Sequence, residues 1–263
     1  MLIEAQGGED KAKYGNALIK EYSEKLTNEI GRGYTFSALS RMRQFYLLSE
    51  KIATLSQQLT WSHYCELLVF DNVDEINYYI KQTEIYNLSV RELREKIKSK
   101  EYQRLDDNTK LKLINKEETV VSDFIKNPIV IRNKYNIDKE SITEKILQRL
   151  ILEDIPSFLK ELGDGFTFVE NEYKIKIGNT FNYIDLLLYN IKFNCYVVIE
   201  LKVTELKKEH IGQIQIYMNY VDKNIKTINQ DKTIGVIICK KDNGYYIEYS
   251  SDNRIFSKNY ILS

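Results

Sequence analysis

The chain has 263 residues, 43% of them hydrophobic, and its 38 Lys and Arg residues balance 38 Asp and Glu residues. This length allows two compact cores, whereas the zero net charge excludes nucleic-acid binding by attraction over the whole surface, so any such contact must use a local basic patch. Because no apolar run is long enough to span a membrane and no signal peptide is evident, we predict a soluble, cytoplasmic protein without a membrane partner.

Cysteine and histidine usage argues against a metal centre built from these residues. The three cysteines, Cys65, Cys195 and Cys239, lack paired spacing and lie in apolar contexts, which is typical of buried, reduced thiols. With only two histidines in the chain, a histidine-based centre is not expected either.

The N-terminal part of the chain is predicted to be helical. Apolar residues recur with helical spacing in the segments 14–29, 37–51, 61–70, 75–84 and 89–105. Loop signals then begin at Asp106, Asp107 and Asn108 and continue through Asn127 and Pro128. We therefore predict an all-helical domain over residues 1–105 and a linker over residues 106–140.

A glycine-marked turn at residues 31–33 separates the first two predicted helices. Ser37 is expected to cap the second of them, which should turn Arg41 and Arg43 outward. The apolar positions expected to face inward are Leu39, Met42, Phe45 and Tyr46. A helix, a turn and a helix with exposed arginines are typical of a helix-turn-helix DNA reader, and equally of an ordinary helical bundle.

The segment 89–105 is the clearest basic patch. Ser89 and Glu92 have the spacing of a capping box, and basic residues cover the faces that the apolar residues leave open. Arg91, Arg94 and Lys98 are therefore candidates for phosphate contact, together with Arg41 and Arg43. The alternative is a helix face that is simply solvated.

The second half of the chain, residues 141–263, is predicted to form an α/β domain. A helix over 141–162 should kink or restart at Pro156, because proline lacks the backbone donor. Strands are predicted at 166–176, 181–190, 195–203, 233–240 and 244–250, with a crossover helix over 207–221 between the third and fourth. This α-β-β-β-α-β order predicts antiparallel hairpins followed by a crossover.

Three charged residues lie inside the two most apolar segments: Asp185 in YIDLLLY, and Glu200 and Lys202 in YVVIELKV. Burying an ionised side chain costs on the order of several kcal/mol unless it meets an opposite charge, a hydrogen-bond partner or a metal. Since strand side chains alternate, Glu200 and Lys202 share a face, and a neighbouring strand can bring Asp185 beside them. Two carboxylates suit Mg²⁺, with Mn²⁺ as a substitute, and such a site can hydrolyse a phosphodiester.

Several alternatives remain at this stage. Glu-x-Lys also occurs at residues 9–11, 172–174 and 205–207, and a buried structural Lys–Glu pair would explain the same letters. Lys202 can orient or deprotonate the attacking water, or neutralise charge on the phosphate. On the next helix, Gln213 and Tyr217 are neighbours that could hold phosphate, a base edge or metal-bound water, or could be ordinary helix residues.

With these segments in order, the chain resembles the YhcG-like family of bacterial nucleases in the PD-(D/E)xK superfamily. The resemblance runs from residue 14 to residue 261. In the second half it rests on FLKELGDGFTFV (158–169), YIDLLLYN (183–190), CYVVIELK (195–202), IGQIQIYMNYVD (211–222) and TIGVIIC (233–239). In the first half it rests on MRQFY (42–46), LTWSHYCELL (59–68) and SVREL (89–93).

The resemblance implies a restriction-endonuclease-like core with an N-terminal all-helical domain. It assigns Asp185 and Glu200 to metal binding, helped by the Leu201 carbonyl. It assigns Lys202 to catalysis, and Gln213 with Tyr217 to an accessory motif.

The chain departs from the family pattern in two places. Many relatives carry a glutamate on the helix before the first core strand, where this chain has Gln148, and either Glu144 or Glu153 could substitute for it. The start, MLIEAQGGEDKAKYG, is typical of the tail of a longer helix, so the resemblance predicts a chain lacking the first N-terminal helix.

The sequence thus predicts a Mg²⁺-dependent nuclease that acts on DNA in preference to RNA. The main alternative is a non-cleaving nucleic-acid-binding or complex-assembly protein on the same fold. In a third hypothesis, the N-terminal helices bind a protein partner. The oligomeric state and the preferred nucleic-acid sequence stay open.

Overall fold

The structure is a computed structural model that describes residues 15–52, 55–115, 117–242 and 244–263. The chain divides into two compact units, Met1–Tyr102 and Gln103–Ser263. The predicted helix tail at residues 1–14 lies outside the described residues. Within the described part, no helix is both long and apolar enough to cross a membrane.

The first unit is helical, as predicted. Its helices are α1 (Gly15–Glu29), α2 (Phe36–Ser49), α3 (Trp61–Leu67), α4 (Val73–Tyr86) and α5 (Val90–Lys98). The predicted capping box of α5 is present, with Ser89 and Glu92 each bonding the other's backbone amide. Helix α2 begins one residue earlier than predicted, because Thr35 rather than Ser37 caps it by accepting from the Ala38 amide.

The orientation of α2 differs from the predicted one. Leu39 is buried as expected, but Met42 and Tyr46 are exposed, and Arg43 is half-buried. Phe45, another predicted position, packs against α3, with its ring 5.4 Å from that of Trp61. The buried residues of α2 are Leu39 and Leu48, so the buried face is narrower than the predicted stripe.

The second unit contains one sheet and the remaining helices. The helices are α6 (Asp107–Asn115), α7 (Glu144–Leu152), α8 (Ile155–Leu162), α9 (Lys208–Asn224) and α10 (Gly244–Glu248). The strands are β1 (Ile129–Ile131), β2 (Phe166–Ile177), β3 (Thr180–Asn190), β4 (Cys195–Glu205), β5 (Ile234–Lys241) and β6 (Ile255–Leu262). The predicted restart near Pro156 is present, since this proline lies in the first turn of α8.

The sheet has the order β1-β6-β5-β4-β3-β2. Strands β2, β3 and β4 pair antiparallel, whereas β4, β5, β6 and β1 pair parallel. The predicted order of elements from the helix at residues 141–162 to β5 is therefore confirmed, and α9 is the crossover between β4 and β5.

The prediction of a strand at residues 244–250 is wrong. Residues Gly244–Glu248 form the short helix α10, and the next strand is β6, which the sequence analysis missed. The physical reason is that β6 runs parallel to β5, and parallel strands need a crossover connection rather than a tight turn. The tyrosine-rich segment supplies that crossover despite its strand-like composition.

The segment predicted as a linker packs within the second unit. Strand β1 pairs with β6 at the sheet edge, and Val121, Ile125 and Ile129 are buried in the core. Arg104 forms an ion pair with Glu161 on α8. Asn127 and Pro128 lie in a bend just before β1, and the buried residues on both sides of this bend hold the segment in the core.

Two layers of helix sandwich the sheet. On one face α7 and α8 bury residues such as Leu147 and Phe158 against Leu186 and Ile199. On the other face α9 packs Ile214 and Met218 against Val198 and Ile237, with further buried residues around them. By strand alternation, Glu200 and Lys202 point from β4 toward the α9 side, like Val198.

Gly235 on β5 marks the closest approach of α9 to the sheet. A Cβ at this position would lie 2.5 Å from the Met218 sulfur and 2.9 Å from Ile214 Cδ1, and both side chains are fully buried. Gly235→Ala is therefore expected to lower the free energy of unfolding by about 1–3 kcal/mol through overpacking. Urea denaturation measures this change.

Gly212→Ala is the matched control, because an added Cβ there meets nothing within 4 Å. In the helix α9 this change should raise stability by about 0.5–1 kcal/mol. Equal effects of the two substitutions would contradict the packing argument.

Candidate active site

The three charged residues that stood out in the sequence converge between β3 and β4. The strands pair in register up to Leu186 and Ile199, so Asp185 and Glu200 occupy the next step of the ladder. At this step the Asp185 side chain links the two strands: its Oδ2 accepts a hydrogen bond of 2.7 Å from the backbone amide of Leu201 on β4. Asp185 is thus fixed beside Glu200.

Glu200 is only 2% exposed. Its Oε1 accepts a hydrogen bond of 2.9 Å from the Lys202 ammonium. Its Oε2 is also buried and has no hydrogen-bond partner. An orphaned carboxylate oxygen is costly in the interior, which makes it a natural ligand position for a cation.

The charges of this cluster perturb one another. Burial, followed by the negative charge of Asp185, raises the pKa of Glu200 to about 7. Burial likewise raises the pKa of Asp185, although the Leu201 amide and Lys202 oppose the shift. Burial acts to lower the pKa of Lys202, but the Glu200 carboxylate outweighs it, so this pKa is raised overall. Lys202 is therefore a cation at neutral pH.

Helix α7 contributes two side chains to the site. Gln148 Nε2 donates a hydrogen bond of 3.1 Å to the backbone carbonyl of Asp185. Glu144, one turn earlier on the same helix face, places its Oε2 3.7 Å from the Lys202 ammonium. Glu153 instead accepts from the Tyr135 hydroxyl. Of the two acids that the sequence left open, Glu144 is the one that reaches the cluster.

Gln213 and Tyr217 are adjacent on α9, as predicted. The Gln213 amide donates to the Tyr217 hydroxyl at 3.0 Å. In the part of the chain that the structure describes, no hydrogen bond or ion pair joins either of them to Asp185, Glu200 or Lys202. Their assignment to the accessory motif stays a prediction, as does that of the Leu201 carbonyl to metal binding.

The residues present fit a hard divalent cation with few protein ligands. Among the described residues there is no group of three or more His, Cys, Asp and Glu side chains that could hold a metal. Mg²⁺, however, keeps several waters and is commonly bound through one or two carboxylates. Asp185 and the orphaned oxygen of Glu200 match this donor set.

The predicted nucleic-acid contacts of the first unit differ in their availability. Arg94 is held by Glu66 through two hydrogen bonds, of 3.1 and 2.5 Å, and this pairing lowers the pKa of Glu66. Lys98 lies 3.6 Å from Glu95, in an exposed pair. Arg41 is exposed, whereas Arg43 is half-buried. Arg91 is exposed and has no ion pair or hydrogen bond among the described residues.

The fold and the cluster together define a class of protein. A mixed sheet with helices on both faces, an acid on the second core strand, and Glu-x-Lys on the third are the arrangement of PD-(D/E)xK nucleases. A family model described as the YhcG PDDEXK nuclease domain matches residues 122–262. A second model, the DUF1016 N-terminal domain, matches residues 1–104. The chain belongs to the YhcG PDDEXK nuclease-domain family.

One relative and two solved structures illustrate these similarities. The protein named "Putative nuclease YhcG" from Escherichia coli (strain K12) is 27% identical over 272 residues, which cover 89% of this chain and 72% of the relative. A repair endonuclease from Pyrococcus abyssi is 16% identical, with a TM-score of 0.32 over 45% of this chain. The structure of an EndoMS-dsDNA2 complex is 19% identical, with a TM-score of 0.34 over 47% of this chain. The chain spans 47% and 48% of the lengths of these two structures.

Proposed function

We propose that this protein is a metal-dependent nuclease that hydrolyses phosphodiester bonds with Mg²⁺, which Mn²⁺ can replace. DNA is its substrate in preference to RNA. The observation that carries the proposal is the buried Asp185–Glu200 pair, with an orphaned carboxylate oxygen beside the ammonium of Lys202. Membership of a nuclease family supports the same chemistry.

Each residue of the cluster has a role that follows from its surroundings. Asp185 and Glu200 would hold the cation, which when bound polarises a phosphate oxygen and makes a water more acidic. Because Lys202 is protonated at neutral pH, it stabilises negative charge that develops on the phosphate, in preference to taking a proton from water.

The helix α7 positions these groups. The hydrogen bond from Gln148 holds the β3 backbone at Asp185, a structural role that an amide fills better than an acid. Glu144 places its carboxylate 3.7 Å from the Lys202 ammonium and would help to keep it at the site. This contact supports Glu144 as the substitute for the acid expected at position 148.

A cleavage assay tests the proposal directly. Plasmid, linear duplex, single-stranded and branched DNA, and RNA, are incubated with the full chain in Mg²⁺, Mn²⁺ or EDTA. We expect metal-dependent cleavage of DNA that Asp185→Asn abolishes. DNA that stays intact with every metal, or cleavage that survives both EDTA and Asp185→Asn, would contradict the proposal.

A second function has one observation in its favour. The resemblance to the family predicts a carboxylate at position 148, where this chain has a glutamine that donates to the Asp185 carbonyl, and this departure favours a protein that binds nucleic acid without cutting it. The same set of substrates separates the two functions, since a non-cleaving protein would shift the mobility of DNA in a native gel while leaving it intact in Mg²⁺ and Mn²⁺.

The exposed cations of the first unit are proposed to contact phosphate. Arg91→Gln and Lys98→Gln should each weaken DNA binding for all sequences and reduce the slope of log affinity against log salt by about 0.9. The reason is that binding releases fewer counterions from the DNA for each phosphate contact that is lost. Fluorescence anisotropy between 50 and 200 mM salt, roughly the range where such losses are large, measures both quantities.

Lys81→Gln is the matched control, since Lys81 is an exposed lysine on α4 of the same unit. If Arg91→Gln and Lys98→Gln leave the affinity and the salt slope unchanged, as Lys81→Gln should, α5 is only a solvated face. The helices would then be free to serve as a protein-binding module.

A further inference from the structure

A cavity of about 510 Å³ lies between α9 and the segment around α10, in the second unit. Its main lining residues are Lys208, Ile211 and Gln215 from α9, and Tyr245, Tyr246 and Tyr249. Two serines complete it, so the lining carries one positive charge and no carboxylate. Such a cavity attracts an anionic ligand with apolar, flat groups.

The three tyrosines present free ring faces. Tyr245, Tyr246 and Tyr249 are 73%, 41% and 82% exposed. Among the described residues, none of these rings packs on another aromatic ring and none of the three hydroxyls has a hydrogen bond. The Lys208 ammonium likewise has no ion pair in the described part of the chain. Neither the aromatic surface nor the charge is used by the fold.

The position of the cavity connects it to the candidate active site. Helix α9 follows β4 and α10 follows β5, so both begin at the carboxyl ends of two parallel strands, where Lys202 pairs in register with Cys239. The first turns of α9 carry Lys208 of the cavity and also His210, whose pKa is lowered by burial and by the nearby Lys202 ammonium. This end of α9 therefore lies close to the candidate active site.

We propose that this tyrosine cavity binds unpaired bases of a nucleic-acid strand beside the candidate active site. The proposal rests on the proposed nuclease function and names its substrate class as nucleic acid with single-stranded or frayed segments. Bases would stack on Tyr245 and Tyr249, while Lys208 contacts the adjoining phosphate. Stacking requires an exposed π face, which a base presents only when it is unpaired.

A second cavity of the same unit shows why charge favours this site. That cavity, of about 660 Å³, is lined by Lys258 and by Lys112, which pairs with Asp123 at 3.0 Å, but also by Asp106 and Glu117. Its three acids outnumber its two lysines, which disfavours a phosphate backbone. The lining of the tyrosine cavity contains one lysine and no carboxylate.

Binding to fluorescent oligonucleotides tests the proposal without requiring cleavage. The full chain in EDTA is titrated into a single-stranded oligonucleotide and a blunt duplex of equal length. Tyr245→Ala and Tyr249→Ala should each weaken single-strand binding by about 10-fold or more, because a stacked base is lost. Tyr245→Phe and Tyr249→Phe should keep affinity within about 2-fold, since the ring remains.

The controls separate this inference from the proposed function. Tyr135→Ala, at an exposed tyrosine of the same unit outside the cavity, should leave single-strand affinity unchanged. If wild type binds and cuts duplex DNA but the alanine variants bind single strands as wild type does, the tyrosine cavity is not a base-binding site while the nuclease proposal stands. A change in oligomeric state without a change in nucleotide affinity would also overturn the inference and indicate a protein interface. Wild type that neither binds nor cuts any nucleic acid would overturn both.

Discussion

Replacing any one of Asp185, Glu200 or Lys202 with alanine is expected to reduce metal-dependent cleavage by on the order of 10³-fold or more. The three side chains form one hydrogen-bonded and electrostatic unit, with Lys202 donating to Glu200 at 2.9 Å and Asp185 fixed by the Leu201 amide at 2.7 Å. Because they act together, a double variant should lose little more than a single variant. Initial rates on plasmid DNA at saturating Mg²⁺ measure both effects.

Glu205→Gln is the control, since Glu205 lies on the same strand but is exposed and pairs with Lys241 at 3.1 Å. This variant should cleave at close to the wild-type rate. Circular dichroism must show that each alanine variant stays folded. Wild-type activity in any one of them would remove that residue from the site.

Much of the second unit could be predicted because its signals are local. Continuous apolar segments predict buried strands, and period-2 alternation places Glu200 and Lys202 on one face of β4. The apolar residues on both sides of Glu200 and Lys202 also distinguish this pair from the other Glu-x-Lys pairs of the sequence. Convergence with Asp185 then needed only that β3 and β4 be neighbours, which a short connection makes the simplest arrangement.

Other features depend on contacts that no local pattern encodes. Which acid reaches Lys202, Glu144 at the start of α7 or Glu153 just after its end, is decided by how that helix packs against the sheet, and the two look equivalent in the sequence. The orphaned Oε2 of Glu200 is visible only in three dimensions. Similarly, α10 has the composition of a strand, yet the parallel order of β5 and β6 requires a crossover there.

Metal-free protein is expected to lose stability as pH rises from 5 to 8. Burial and Asp185 raise the pKa of Glu200 from its ordinary value of 4.5 to about 7, so between these values the folded state holds a proton that the unfolded state has released. The unfolding free energy therefore falls with rising pH across this window, by on the order of 2–3 kcal/mol in total. Urea denaturation in EDTA at pH 5 and pH 8 measures the loss. Glu200→Gln, which cannot titrate, should show a flatter profile.

Asp185→Asn tests whether the Asp185 carboxylate destabilises the metal-free protein by repelling Glu200 or instead stabilises the fold. The asparagine oxygen can still accept from the Leu201 amide, but one of two like charges is gone, so metal-free Asp185→Asn should be more stable at pH 8 than metal-free wild type. Mg²⁺ at ten times its dissociation constant should stabilise wild type by about 1.4 kcal/mol, or roughly 3–6 °C in melting temperature, because only the folded state binds it. Asp185→Asn should show no such shift. If Asp185→Asn is less stable than wild type, and Mg²⁺ and Mn²⁺ do not raise the melting temperature of wild type, then Asp185 is a structural residue. That result would favour the non-cleaving function.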